Sequence, residues 1–290
     1  MRRSTLAVIA LLVPMVLLGC SRQEAGSPAP PAPTKLGPHK PGAPAPESVA
    51  PASPGTLTVF AGSASMPALR DLGPAYEQKT GVKVEITSGG SGSVLTQLSQ
   101  DHFGDLYIPG SDDFMDRAEK KDAVLRDTRE ILVYLVPVIC VPKGDPKGIK
   151  SLEDLSRADV RMVIGDIDSV CLGAIAKDVL TEAGLWEKVQ PRIATYASSC
   201  EDTLSRLVMG EADAIIGWDV FAKQNPDKVE SLRLTQKSAR ARNIPAAVIK
   251  WSKQPEKAKD LIEFLRSTEA KDIWTKYGYT VDSPEVSGKS

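Results

Sequence analysis

The chain has 290 residues, with 36 Lys or Arg against 37 Asp or Glu, so its formal net charge is −1. Binding to a nucleic-acid backbone needs a basic face, and no cluster of basic residues is visible, so this balance argues against nucleic acid as a partner. The two histidines, His39 and His102, leave a histidine-based triad or a histidine metal site poorly supplied.

The first twenty residues are typical of an export signal. Arg2 and Arg3 precede an apolar stretch over 6–18 that is too short to span a bilayer comfortably. The stretch ends in Leu-Leu-Gly-Cys, which matches the lipobox of bacterial lipoproteins. The sequence therefore predicts a signal peptide over 1–19, lipid attachment at Cys20 and an extracytoplasmic, membrane-anchored protein. An ordinary secretory signal with a chance cysteine is the alternative.

Residues 20–55 form a predicted tether. Ten prolines lie between Pro28 and Pro54, and they break any helix or strand ladder. At about 3.1 Å per residue, an extended chain of this length reaches up to roughly 100 Å from the lipid.

Strand-turn-helix units follow from residue 56 onward. Strands that alternate with helices predict parallel sheets with helices on both faces. Two long apolar strands, 130–141 and 243–251, stand where one group of units gives way to the next, and they are candidates for crossings between two lobes. Two closing helices are predicted over 255–267 and 269–277. The predicted units have strands at 57–60, 82–86, 105–108, 161–164, 192–196 and 212–217.

Four of the strand-to-helix turns place small residues at helix N-termini, where free N–H groups and the helix dipole favour anions. Ligands of open parallel sheets collect at the carboxyl ends of the strands, so we expect the four turns to converge on one cleft. The alternative is that these serines and glycines only cap helices. The turns are Ser63–Ser65, Ser91–Ser93, Cys171–Leu172 and Ser199–Cys200.

Motifs for catalysis are incomplete. A nucleophile elbow needs Gly-x-Ser-x-Gly, and the run from Gly89 to Ser93 lacks the last glycine. The same turn has no lysine, which a phosphate-binding loop needs. We therefore expect no enzyme, no catalytic residue and no cofactor.

From about 56 to 280 the chain resembles the periplasmic molybdate-binding proteins of ABC importers. The resemblance rests on the order and spacing of several stretches rather than on any one of them. It implies a type II periplasmic-binding-protein fold, with two α/β lobes of mostly parallel sheet flanked by helices, and two hinge crossings. The stretches are VFAGSAS at Val59, AYEQKTGVKVE at Ala75, GGSGS at Gly89, GDLYIPGSDDFMD at Gly104, IGDIDSVCLGAIAKDVL at Ile164, GLWEKV at Gly184, GEADAIIGW at Gly210 and KYGYT at Lys276.

The resemblance also implies a binding site of neutral donors: serine hydroxyls, backbone amides and a tyrosine from the second lobe. The first serine position falls nearest Ala64, with a serine on either side. In the second turn Ser93 is the better-aligned position, with Ser91 as its neighbour. Trp218 stands where the family has tyrosine, and its indole is a donor only. The implied ligand-binding residues are Ser63, Ala64, Ser65, Ser91, Ser93, Cys171, Leu172, Cys200, Trp218 and Asp219.

Cysteines and one aspartate depart from the family pattern. The family's Val-Pro-Ala-Gly is replaced by Val-Cys-Leu-Gly at 170–173. If both second-lobe turns contact one ligand, Cys171 and Cys200 are neighbours, and we expect a disulfide between them. Two free thiols that contact a thiophilic ligand are the alternative, while Cys140 is expected to be an inert buried thiol. Asp219 would repel an oxyanion, so it must point away, pair with a cation such as a nearby arginine, or meet a ligand that is not a bare dianion; the alternative is that it caps the helix that follows.

The function that the resemblance implies is capture of a small oxyanion, molybdate or tungstate by default, with no metal beyond that of the oxyanion. An ABC permease and its ATPase are the implied partners, and a monomer is expected. Another anion or a metal complex, or a lipoprotein sensor without transport, are the alternatives. The expected organisation is lobe 1 over 56–138 and 246–281, lobe 2 over 139–245 and a flexible tail over 282–290.

Overall fold

The computed structural model describes residues 55–284. The predicted signal peptide, Cys20, almost all of the tether and the end of the tail lie outside the described residues. None of the described helices combines the length and the apolar character that a membrane span requires.

Ten strands and nine helices alternate through the described chain in the predicted manner. The strands are β1 Thr56–Gly62, β2 Lys83–Gly89, β3 Leu106–Ile108, β4 Glu130–Leu135, β5 Pro137–Pro142, β6 Met162–Gly165, β7 Ile193–Ala197, β8 Ala214–Trp218, β9 Val229–Arg233 and β10 Arg242–Val248. The helices are α1 Met66–Thr80, α2 Ser91–Asp101, α3 Asp112–Lys120, α4 Cys171–Glu182, α5 Trp186–Val189, α6 Cys200–Val208, α7 Asp219–Gln224, α8 Pro255–Arg266 and α9 Thr268–Lys276. Short 3-10 turns lie at Ser63–Ser65, Arg126–Thr128, Glu153–Ser156, Gln190–Arg192 and Lys237–Ala239.

The strands form two five-stranded sheets, one in each lobe, with the orders β2-β1-β3-β10-β4 and β7-β6-β8-β5-β9. In each sheet three strands pair in parallel, and the fourth in order, β10 or β5, runs antiparallel to both of its neighbours. Four of the five strands therefore share one direction, which confirms the predicted two-lobed fold of mostly parallel sheets.

Local sequence explains how these elements form. The central strand β1 buries almost every side chain, whereas the edge strand β2 alternates between exposed and half-buried residues. In α1, Leu69, Leu72 and Tyr76 share the buried face, as their helical spacing predicts. Gly81 ends the helix at φ 73°, where its N–H donates to the carbonyl of Glu77 over 2.7 Å.

The chain passes between the two sheets twice. The first crossing is Val136 alone, because β4 pairs in the first sheet and β5 in the second. The second lies in 234–241, before β10, since Arg242 already pairs with Leu135 in the first sheet. The strand predicted over 243–251 is therefore not itself a crossing strand. The expected lobe boundaries, 138/139 and 245/246, each lie slightly downstream of these changes of sheet.

Candidate functional site

The four turns selected from the sequence meet between the two lobes. Each follows a strand and leads into a helix or 3-10 turn. Gly92 N–H, in the first turn of α2, donates to the carbonyl of Ser169 in the other lobe over 2.8 Å. The Glu201 N–H, in α6, donates to the hydroxyl of Ser63 over 3.2 Å. The predicted convergence is therefore present, and the lobes are closed on each other.

Longer side chains connect the lobes at the rim of this cleft. Arg117 donates to the carbonyl of Asp168 over 3.1 Å, and Arg70 pairs with Glu201 at 3.3 Å. The side chains of Arg70 and Glu201 are more than half exposed, so that pair contributes less than about 1 kcal/mol.

In the first-lobe turn at 63–65, the hydroxyl of Ser63 contacts the second lobe rather than its own turn. Ser65 donates its hydroxyl to the carbonyl of Gly62 over 2.9 Å, and the carbonyl of Ala64 accepts from the hydroxyl of Tyr279. Ser63 instead places its hydroxyl against the N–H of Glu201 in the second lobe. Of the three residues inferred in this turn, Ser63 is the one whose hydroxyl spans the cleft.

In the second turn, Ser91 rather than Ser93 lies beside the thiols of the second lobe. Ser91 is buried and accepts from the Gly110 N–H over 3.0 Å. It also lies beside the thiol of Cys171. Ser93 is exposed to solvent, because residues two apart on a helix point about 200° from each other. The resemblance implied Ser93 as the better-aligned position; ligand contact by either serine stays a prediction, and the burial of Ser91 favours Ser91.

The second lobe contributes two sulfurs, from the first residues of α4 and α6. The Sγ atoms of Cys171 and Cys200 are 3.6 Å apart, and both cysteines are buried free thiols. The expected proximity is present, but the expected disulfide is not formed: a bonded pair would have sulfurs about 2.05 Å apart. The alternative of two free thiols is what the structure describes.

Neutral donors surround Cys200. Its pKa is lowered, first by the hydrogen bond that it shares with the Cys171 thiol, and further because the side chains of Trp218 and Ser63 and the Leu172 N–H surround the sulfur. The pKa of Cys171 is raised well above its ordinary value, by its hydrogen bond to Cys200 and by burial. The sulfur of Cys200 therefore has more neutral donors around it than the sulfur of Cys171.

Trp218 supplies a donor without a matched acceptor. Its side chain is 0% exposed, and the indole N–H makes no hydrogen bond of normal geometry within residues 55–284. It nevertheless lies near enough to stabilise a Cys200 thiolate. A buried N–H left without a full partner costs about 1–3 kcal/mol, so this donor indicates an acceptor that enters the cleft.

Asp219 is engaged away from the cleft. Its carboxylate accepts from the Val136 N–H over 3.0 Å and from the Lys223 ammonium over 3.1 Å. The expected pairing with a cation is therefore present, with a lysine. Asp219 is the first residue of α7, and no side chain caps that helix, so the suggested capping role is wrong.

Gly110, which follows β3 at the same sheet edge, is not among the site residues predicted from the sequence. A Cβ at this position would lie 2.8 Å from the Cys171 sulfur, so a side chain there would displace the thiol pair. The Pro-Gly pair at 109–110 could have indicated this position in the sequence, because it marks a turn directly after a predicted strand that ends at this edge.

A cavity of about 450 Å³ lies beside the cleft and shares Ser63 with it. Its two lysines are already paired, Lys223 with Asp219 and Lys276 with Asp71. In the part of the chain that is described, no group of three His, Cys, Asp or Glu side chains is placed to hold a metal ion.

Comparisons with known proteins identify the family and agree with the fold. A family model of bacterial extracellular solute-binding proteins matches residues 57–280. A Bacillus subtilis protein, provisionally named as an ABC transporter substrate-binding lipoprotein, is 27% identical over 78% of this chain and 87% of its own length. The molybdate-binding protein ModA of Escherichia coli is 25% identical over 78% of this chain and 90% of its own. The solved periplasmic molybdate-binding protein of Azotobacter vinelandii has a TM-score of 0.69 at 19% identity, covering 78% of this chain and 100% of its own.

Proposed function

The chain belongs to the family of bacterial extracellular solute-binding proteins, and we propose that it captures a small tetrahedral oxyanion, molybdate or tungstate by default, between its lobes. The observation that carries the proposal is the unpartnered, buried indole N–H of Trp218. It stands with the Ser63 hydroxyl and the Leu172 amide around one point of the cleft. The Ser91 hydroxyl adjoins the same thiol pair.

Neutral donors suit a dianion in a closed cleft. Hydrogen bonds to an ionised acceptor are about twice as strong as neutral ones, and exclusion of water strengthens each further. Because Asp219 is occupied by Lys223 and the Val136 N–H, its charge is partly compensated outside the donor set. The contacts are supplied by both lobes, so closure around the anion completes the site by hinge motion.

Transport follows from the same proposal. The lipobox at Cys20 and the proline-rich tether support an extracytoplasmic lipoprotein, and the Bacillus subtilis relative carries that name as well. The loaded, closed form would dock as a monomer on an ABC permease, whose ATPase acts on the other side of the membrane. The protein itself catalyses nothing in this scheme.

Calorimetric titration of the purified full-length protein, with a reductant present, tests the proposal. Molybdate or tungstate should bind with measurable heat and raise the melting temperature, since a ligand at 100 times its Kd stabilises by about 2.7 kcal/mol. Sulfate, phosphate and arsenate serve as competing oxyanions. No heat and no melting shift with either molybdate or tungstate would remove the oxyanion assignment.

A pair of serine variants tests the site itself. Ser91→Ala removes a buried hydroxyl that adjoins the thiol pair, and we expect affinity to fall about 10- to 100-fold, because hydrogen bonds to charged groups contribute about 1.5–3 kcal/mol. Ser93→Ala is the matched control on the exposed face of the same helix turn. Equal effects of the two changes would contradict this assignment.

A further inference from the structure

The two thiols lie inside the donor set of the candidate site, not beside it. The Cys200 sulfur is surrounded by Trp218, the Leu172 N–H and Ser63, and the Cys171 sulfur by Ser91. A ligand held by these donors therefore meets both sulfurs. Cys140, by contrast, lies in β5, where its thiol donates to the carbonyl of Trp218 at 3.8 Å.

The separation of the sulfurs limits what they can bind together. With bonds of about 2.3 Å, the length of a Zn–S bond, the 3.6 Å separation gives an S–X–S angle of about 100°. A linear two-coordinate centre would need sulfurs about 4.6 Å apart. The pair is therefore arranged as a bent chelate, suited to a tetrahedral or pyramidal centre.

Further protein ligands are lacking for a tetrahedral metal. Within residues 55–284, no third His, Cys, Asp or Glu side chain stands with the two thiols as a metal-binding group. The two thiols are surrounded instead by neutral hydrogen-bond donors. Such donors can bind an oxygen atom that remains attached to the central atom of the ligand. This combination fits a pyramidal centre with two sulfur ligands and one hydroxyl or oxide, the latter accepting from the Trp218 N–H or a serine hydroxyl.

We propose that the reduced cleft captures a trivalent, thiophilic oxyacid of the arsenite class through Cys171 and Cys200. The inference rests on the proposed function, because it keeps the inter-lobe cleft as the ligand site and names a second ligand class for it. The sulfurs are buried when the lobes are closed, so capture takes place in the open form and closure follows.

The chemistry balances without an oxidant. Arsenous acid, As(OH)₃, reacts with two thiols to form two As–S bonds, and two As–OH bonds break. The two hydroxides leave with the two thiol protons as two water molecules, and arsenic stays trivalent with one hydroxyl. The thiolate is the nucleophile, so one of the two sulfurs forms its bond to arsenic first and the other then closes the chelate.

Arsenite binding to the purified full-length protein tests the proposal, with a phosphine reductant that does not chelate arsenic. We expect one arsenic per chain by mass spectrometry of the desalted protein. Cys171→Ser and Cys200→Ser should each weaken binding by about 100-fold or more, because the second bond of a chelate forms at high effective concentration. Cys140→Ser is the matched control and should bind arsenite as the wild type does.

Peptide mapping on the wild type gives a second readout that needs no variant to fold. Bound arsenite should protect Cys171 and Cys200, and no other cysteine, from maleimide labelling. Arsenite uptake that survives either cleft substitution, or that is lost in Cys140→Ser, overturns the proposal. Binding of molybdate or tungstate without arsenite also overturns it while the proposed function stands. Binding of none of the three removes both.

Discussion

Gly90 lies against the backbone of the second lobe, so a single methyl group added there should hinder closure. An ideal Cβ on Gly90 would lie 2.6 Å from the carbonyl oxygen of Ser169 and 2.9 Å from that of Ser198, both in the second lobe. The backbone of Gly90 has φ −61° and ψ 139°, which alanine adopts without strain. Gly90→Ala therefore perturbs the contact between the lobes and leaves the first lobe intact.

The size of the effect follows from these distances. Carbon–oxygen contacts are normally no closer than about 3.3 Å, so the lobes must separate by about 0.7 Å at this point. The hydrogen bond from Gly92 N–H to the Ser169 carbonyl, 2.8 Å long, would be lost at a cost of about 1 kcal/mol. Overpacking adds about 1–3 kcal/mol. We expect the Kd for molybdate to rise about 30- to 700-fold, at 1.4 kcal/mol per tenfold.

Calorimetry with molybdate measures this change, and small-angle scattering measures the accompanying loss of compaction. Gly89→Ala is the matched control, because a Cβ there meets only the Val94 side chain, at 3.4 Å and within the same lobe. An unchanged Kd for Gly90→Ala would refute the closed arrangement as the ligand-bound one. An equal loss of molybdate affinity in Gly90→Ala and Gly89→Ala would refute it as well.

Three more predictions concern single side chains. Trp218→Phe should lower oxyanion affinity about 10- to 100-fold through loss of a charge-assisted hydrogen bond of about 1.5–3 kcal/mol; an unchanged calorimetric Kd would remove the indole from the site. The Arg161 guanidinium holds the pKa of Asp213 below its usual range, so its stabilisation is present above about pH 3.9 and lost as pH falls through the lowered pKa. Asp213→Asn should therefore lower the free energy of unfolding in urea by about 1–3 kcal/mol at pH 7, and a difference that persists at pH 2 would contradict this. Asp219→Ala should destabilise by about 1–2 kcal/mol, because the Val136 N–H loses its partly buried acceptor, against less than about 1 kcal/mol for Lys223→Ala, with melting scans as the measure.

Periodicity was enough to predict the fold and the edge at which the site lies. Alternation of strands and helices fixed the parallel pairing, and parallel strands end at a common edge, so the turns at Ser63, Ser91, Cys171 and Cys200 were expected to converge. Each of these residues does begin a helix or a 3-10 turn in the structure. The two-lobed fold was also implied by the family resemblance, and of the two strands proposed as crossings only 130–141 contains a change of sheet.

The direction in which each side chain of a turn points could not be predicted from the spacing of strands and helices. Ser91 and Ser93 have the same chemistry, and only the direction of α2 relative to Gly110 decides that Ser91 is buried. From the sequence, Asp219 was interpreted as a helix cap or as a charge that repels an anion. Its carboxylate instead accepts from the Val136 N–H, which is 83 positions away in the chain. Long-range hydrogen bonds of this kind leave no periodic signal.

Both backbone groups of Val136 are bound to one residue of the second lobe. The Val136 N–H donates to the Asp219 carboxylate, and the Asp219 N–H donates to the Val136 carbonyl over 2.9 Å. Pro137 follows, which confines Val136 to extended conformations. The linking residue thus rotates with the second lobe as one rigid piece, and the axis of opening is displaced toward Leu135. Trp218 is the residue before Asp219, so the indole is one residue away from the hydrogen bonds that fix the linking residue to the second lobe.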